Sequence, residues 1–469
     1  MSEEGLRASQ EKMRAAGVPE VAIATFAHYY RQVEAGGSGM LPEAELEPVE
    51  SLPSLDQLPE DGDAAGRALD AAVVIKLNGG LGTSMGMTRA KSLLEVKDGL
   101  SFLDVIARQT LAQRRRHGAR LPLVLMNSFY TREDSLAALA RHPELASDLP
   151  ADFVQNREPK LGVEDLLPVE WPADPELEWC PPGHGDLYTA LLTSGMLERL
   201  LDAGYRYAFV SNSDNLGAVL EPRILGWLAA EEIPFLMEVA DRTEADRKGG
   251  HLARRRSDGQ LVLRESAQTP DEDADAFQDI GRHRFFNTNT LWVDLRALAG
   301  VLAERDNVLG LPMIVNRKTV DPADSSSPPV YQLETAMGAA ISVFPGARAL
   351  RVARERFAPV KTTNDLLALR SDCYVLTDEC RVVVSPERRL GPLFVDLDPG
   401  YYKLLADFEA RFPAGPPSLV DCERLVVRGD VRFGAGVVAR GAVEVEHPGD
   451  GQGHVEDGTV LEERVRVLA

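Results

Sequence analysis

The stretch VVIKLNGGLGTSMGMTRAKSLLEV, Val73–Val96, decides how the chain is read. It opens within a continuous apolar run, AAVVIKL, which predicts a strand buried on both faces. Four glycines follow within eight residues (Gly79, Gly80, Gly82 and Gly86), and then Lys91. Without Cβ atoms, such a loop lets backbone N–H groups approach a phosphate closely. A Walker A loop needs glycine directly before Lys-Ser, but Ala90 precedes Lys91 and Ser92. A dinucleotide loop reads G-x-G-x-x-G, and Met85 stands where its last glycine belongs. The next strand, LPLVLMN, ends in Asn127 and not in a ribose-binding acid, so a nicotinamide cofactor fits poorly. A loop that wraps a nucleoside triphosphate remains, and so does a tight turn followed by a surface lysine.

Outward from the loop the pattern alternates. SFLDVIARQTLAQRRR predicts an amphipathic helix opened by Ser101, with Asp104 at the capping-box position. LYTALLTSGMLERLLDAG predicts a helix, YRYAFVSNSD a strand, EPRILGWLAAEE a helix and IPFLMEVAD a strand. This β-α-β order implies a mostly parallel sheet. QLVLRES and FFNTNTLWVDL alternate more and are assigned to its edge. Residues 1–45 read as helical, and residues 46–70, rich in Pro, Asp and Gly, as a connection.

The tail has its own period. Leu425, Val431, Val437 and Val443 are spaced by six, and so are Val427, Phe433, Ala439 and Val445. Val455, Leu461 and Val467 return in the first phase. Period six predicts a β-helix of hexapeptide coils, with a meander of short strands as the alternative. The domains expected are 1–70, helical segment and connection; 71–384, catalytic; and 385–469, β-helix-like.

The formal charge is −22, which argues against nucleic acid and anionic membrane surfaces as partners. Any anionic ligand must be held by local devices. Four cysteines without metal spacing point to reduced thiols in the cytoplasm. The first residues lack the apolar region of a signal peptide, and no apolar run is long enough to span a bilayer.

Beyond KLNGGLGTSMG and AKS the chain carries PLVLMNSF (122–129), PPGHGD (181–186), SNSDNLGA (211–218), KGG (248–250), FNTNTLWV (286–293), IVNRKTVD (314–321), QLETAMGAA (332–340) and FAPVKTTNDLL (357–367). In this order, over roughly residues 70–376, the sequence resembles the eukaryotic-type UTP–glucose-1-phosphate uridylyltransferase (UDP-glucose pyrophosphorylase) family. The resemblance implies an α/β fold: a mixed, mostly parallel nucleotidyltransferase domain of GT-A or Rossmann-like kind, then a left-handed β-helix-like domain. It implies reversible formation of UDP-glucose and pyrophosphate from UTP and glucose-1-phosphate. Homo-oligomerisation through the C-terminal domain is an accompanying expectation. Arg89-Ala90 stands where the family has Gly-Pro, which bears on the loop's stiffness.

Such a transfer needs alignment of two anions and neutralisation of their charge more than acid–base help. The resemblance puts Lys91 at the nucleotide phosphates and brings Lys361 from the other side of the cleft, to one phosphate or the other. Asp214 ends the strand YRYAFVSNSD, where a hard oxygen suits Mg²⁺; the plain alternative is a helix cap. The nucleotide-binding residues implied are Leu77, Gly79, Gly80, Gly82, Met126, Gln155, Gly183 and Asp214, with uracil against Gly183 and the Gln155 amide and Met126 packing on the base. His184 would donate to the sugar phosphate, and Asn212 and Asn215 would cap or bind hydroxyls. Gly249, Glu265, Asn287 and Asn289 match the glucose-contact stretch. In an alternating strand Asn287 and Asn289 share a face, where burial without partners would be costly. Three other readings compete: a pyrophosphorylase for N-acetylated sugars, a non-catalytic sugar-nucleotide sensor, and the disfavoured NAD-dependent oxidoreductase.

Overall fold

The computed structural model describes residues 2–59 and 62–466. Ten strands form its central sheet: β1 (Leu46–Pro48), β2 (Ala72–Asn78), β3 (Leu123–Asn127), β4 (Asp152–Val154), β5 (Tyr207–Asn212), β6 (Phe235–Asp241), β7 (His251–Arg255), β8 (Leu261–Arg264), β9 (Phe285–Asp294) and β10 (Arg348–Arg351). The neighbours β5, β2, β3 and β4 run parallel to one another, and so do β6 and β10. β9 lies antiparallel to β5, β6 and β7. The fold is thus mixed α/β around a largely parallel sheet.

The apolar run of β2 explains its central place. Val74 enters one hydrophobic cluster with Leu125, Phe209 and the helix Phe102–His117. Val73 and Ile75 enter the other with Val124, Val210 and the helices that follow Leu187. Both faces are covered, as a parallel sheet requires. Ser101 and Asp104 form the expected capping box.

Three expectations change. LYTALLTSGMLERLLDAG folds as two helices, Leu187–Thr193 and Met196–Asp202, because Gly195 adopts the left-handed conformation. β9 is internal, not an edge, and is buried on both faces; the alternation in FFNTNT reflects an irregularity in its pairing with β6. The stretch 46–70 holds β1 and the helix Gly62–Asp70, where Ala65 packs on Gly226.

The N-terminal helices Ser2–Ala15 and Glu20–Glu34 pack on a small sheet through Phe26, Tyr30, Leu161, Met313 and Leu333. In the tail, Phe394–Leu397, Cys422–Arg428, Gly441–Glu446 and Arg464–Arg466 form one parallel ladder. Val431–Phe433 pairs with Gly453–Val455, and Val438–Ala439 with Val460–Leu461, again in parallel. A meander of antiparallel strands is excluded. Leu425 pairs with Val443, joining two members of one six-spaced row; Val467 lies outside the described residues. The tail's apolar rows belong to the same cluster as one face of the central sheet. Among the described residues no helix is long and apolar enough to cross a membrane.

Candidate active site

β2, β3 and β5 end side by side, so the segments after Asn78, Asn127 and Asn212 share one edge of the sheet. Buried amides join these ends. Asn78 donates to the side chains of Asn127 (2.7 Å) and Ser135 (2.7 Å), and Ser213 donates to Asn78 (3.2 Å). The hydroxyl of Ser213 also lies 2.8 Å from the Leu77 carbonyl. Gly82 and Gly86, at φ +69° and +72°, bend the loop around a turn at Thr83–Met85. The Lys91 N–H donates to the Gly80 carbonyl (3.0 Å), folding the lysine back over the loop. Ala90 sits at φ −52°, an angle that proline also holds, so the backbone here is one the family's proline could take.

Asp214 lies in the turn after β5, and no helix starts before Pro222, which removes the cap reading. Lys91 Nζ and Lys361 Nζ both donate to its Oδ2, at 2.7 and 2.8 Å. Lys91 Nζ also donates to the Val360 carbonyl (2.5 Å). Burial raises the Asp214 pKa, but Lys361 and Lys91 outweigh it and hold the carboxyl below its usual range. Lys361 directly precedes the capping residue of the helix Thr363–Arg370.

His184 Nδ1 accepts the Met337 N–H (3.0 Å), which leaves the proton of the neutral ring on Nε2. His184 is exposed to solvent at the cleft, and the protein atoms crowded around its ring, with Lys361 beside it, pull its pKa down to about 4. Neutral at pH 7, it offers a donor without a charge. Gly183 takes φ +76° against Thr335, whose carbonyl a Cβ would meet at 2.6 Å. The amide of Gln155 lies on Gly79, where a Cβ would come within 2.9 Å of Oε1. Met126 is 2% exposed and belongs to the core cluster.

The residues of the glucose-contact stretch meet one another. The Glu265 carboxylate lies on Gly250, the neighbour of Gly249, and burial pushes its pKa up to about 7. The Asn287 N–H donates to the Gly250 carbonyl (3.0 Å). Asn287 and Asn289 satisfy each other: Nδ2 of Asn287 donates to Oδ1 of Asn289 (2.8 Å), and the Asn289 N–H returns to Oδ1 of Asn287 (2.9 Å). Asn289 has φ +55°, so the simple strand alternation does not hold there. The segment Met337-Gly338 touches both His184 and Asn287, joining this group to the lysines. Asn212 closes β5 two residues before Asp214.

The donor set suits a divalent cation that brings its other ligands along. Asp214 Oδ1 is buried and accepts no hydrogen bond. Among the described residues no group of three metal-ligating side chains occurs. Mg²⁺ commonly takes one or two carboxylates and completes its shell with water and phosphate.

Sequence reasoning missed the support beneath this site. Arg356, partly buried, makes a bidentate pair with buried Glu238 (2.6 and 2.7 Å), which also accepts the Trp292 indole N–H (2.8 Å). Lys76 donates to Ser211 (2.6 Å) and the Ala218 carbonyl (2.9 Å); burial and Arg356 push its pKa down to about 7. Only the charged residues within apolar strands could have signalled this.

A sequence profile described as UTP–glucose-1-phosphate uridylyltransferase matches residues 23–440. A protein of that name from Solanum tuberosum is 42% identical over 416 residues, 87% of this chain and 83% of the relative. The Saccharomyces cerevisiae protein of the same name is 39% identical, covering 84% of this chain and 77% of its own. A variant UDP-glucose pyrophosphorylase from Leishmania major, solved in complex with UDP-glucose, superposes with a TM-score of 0.92 at 47% identity, over 98% of this chain and 99% of that one. A Trypanosoma brucei structure described as UDP-glucose phosphorylase gives 0.91 at 48% identity, over 99% and 100%. Profile, relatives and structures agree across nearly the whole chain, which therefore belongs to the UTP–glucose-1-phosphate uridylyltransferase family.

Proposed function

We propose that the chain transfers uridylyl from UTP to glucose-1-phosphate. A phosphate oxygen of the sugar attacks the α-phosphorus of UTP in line, a new P–O bond forms, and the bond to the departing pyrophosphate breaks. The reaction is reversible. The observation that carries this reading is the convergence of Lys91 and Lys361 on Asp214 beside the glycine loop. Two repelling anions must approach within bonding distance, and two ammoniums held at one point offset that repulsion.

In this reading Lys91 and Lys361 are the catalytic cations. The backbone of Leu77, Gly79, Gly80 and Gly82 carries the nucleotide, and the Gln155 amide, with Gly183 and Met126, recognises uracil. His184 donates Nε2–H to the sugar phosphate without adding a charge. Glu265, Asn287, Asn289 and Gly249 hold the glucose hydroxyls, with Asn212 near the phosphate. Asp214 would hold Mg²⁺, with Oδ1 the oxygen that has no hydrogen-bond partner, and the ion would supply neutralisation of phosphate charge. The chain is organised as 1–70, 71–384 and 385–469, the last a left-handed β-helix, supported by its parallel ladders and period of six. It works in the cytoplasm and forms homo-oligomers through that last part.

The test is a release assay for pyrophosphate, with UTP and a panel of sugar-1-phosphates. Glucose-1-phosphate should exceed its N-acetylated counterparts by a wide margin. Absence of pyrophosphate release with every sugar, alongside intact UDP-glucose binding, would favour a sensor instead.

A further inference from the structure

Asn215 follows Asp214 but does not face the cleft; it is 2% exposed. Its amide makes three hydrogen bonds. Oδ1 accepts the N–H groups of Gly217 (3.2 Å) and Ala358 (3.0 Å), and Nδ2 donates to the Arg356 carbonyl (3.1 Å). Two N–H donors on one atom and a carbonyl on the other fix the orientation of the amide. The main chain adds to the seam: Asn215 forms a bridge with Pro359, and the Val360 N–H donates to the Asp214 carbonyl (3.2 Å). Gly217 closes it, since a Cβ there would lie 2.4 Å from the Glu355 carbonyl. The strap 355–360 is therefore sewn to the turn 214–217, and the next residue along the strap is Lys361.

We propose that Asn215 is a positioning residue that fixes the register of the Lys361 strap against Asp214, so that both ammoniums reach one carboxylate oxygen. The inference rests on the function proposed above. Apart from the cation Lys91, which reaches both Asp214 Oδ2 and the Val360 carbonyl, no other side chain hydrogen-bonds both to the Asp214 turn and to the strap among the described residues. The Glu238–Arg356 pair anchors the strap at Arg356, and the contacts of Val360 and Lys361 with Asp214 and Lys91 fall at its far end, so Asn215 holds the span between them through Arg356 and Ala358. A hydrogen bond of about 3 Å carries such register because its strength falls steeply with misalignment. Small displacements of a catalytic group cost far more in rate than in binding.

The experiment is a double-mutant cycle between Asn215→Ala and Lys361→Ala, read as kcat, with uridine affinity and thermal midpoint measured on each protein. Asn215→Ala should lower kcat at least tenfold while leaving the uridine Kd within twofold. In the Lys361→Ala background the same change should lower kcat less than twofold, because the group it positions is gone. An equal fall in both backgrounds would overturn the inference, and so would near-normal kcat in the single variant. If Asn215→Ala does not fold, Asn215→Ser takes its place in the cycle under the same criteria. A wild-type protein that releases no pyrophosphate would instead refute the proposed function, which keeps the two failures distinct.

Discussion

Lys91, just beyond the glycine loop, and Lys361, just before the helix Thr363–Arg370, donate to the same carboxylate oxygen, Oδ2 of Asp214. Neither contact is a simple surface ion pair. Asp214 is buried, and Lys91 is further tied to the Val360 carbonyl.

Lys91→Ala should reduce turnover by about two decades, since removing one preorganised charge from a transition state costs roughly 3 kcal/mol. The fold should persist, because Lys361 still pairs with the buried carboxylate. Steady-state kinetics and a thermal melt test both halves. Near-normal turnover would remove Lys91 from its role.

Chelation should stop the reaction, and Mg²⁺ should restore it. Asp214→Asn should raise the Mg²⁺ concentration for half-maximal rate by tenfold or more, because Oδ1 is the oxygen left open. Full turnover in EDTA would take the metal away from Asp214.

His184 has a native pKa near 4, against about 6.5 in an unfolded chain. The group is therefore neutral when native, and its contribution to stability is complete above about pH 6.5. That contribution is lost as pH falls from there towards 4, where the unfolded state binds the proton more readily. The destabilisation caused by His184→Gln should be larger at pH 7.5 than at pH 5, measured by denaturant unfolding. A constant difference would show that the imidazole does not titrate as its surroundings dictate.

Ala90→Pro should fold normally and gain about 0.4–1 kcal/mol, because the native φ of −52° already suits proline. The Ala90 N–H donates no hydrogen bond among the described residues, so none is lost. A fall in thermal midpoint would mean that Arg89 cannot take the extended backbone required before proline.

Much of this was legible from residues. AAVVIKL announced a doubly covered strand, Ser101 and Asp104 announced a helix start, and the period of six announced parallel pairing in the tail. What failed needed tertiary partners. The break at Gly195 hides in a good amphipathic pattern. The asparagines of β9 looked costly because nothing local predicts that they satisfy each other. Asn215 looked like a cap or a hydroxyl ligand, since its partners at 356 and 358 are remote in sequence.

The shared oxygen of Asp214 also sets what an empty cleft looks like from outside. Two uncompensated ammoniums would trap stray phosphate or chloride. With the carboxylate between them, the resting cleft is largely self-quenched. A ligand can free the lysines only if something takes over the carboxylate at the same moment. Under the proposed function, metal-complexed triphosphate would meet that demand while a bare anion would not, and discrimination would begin before any base or sugar is read.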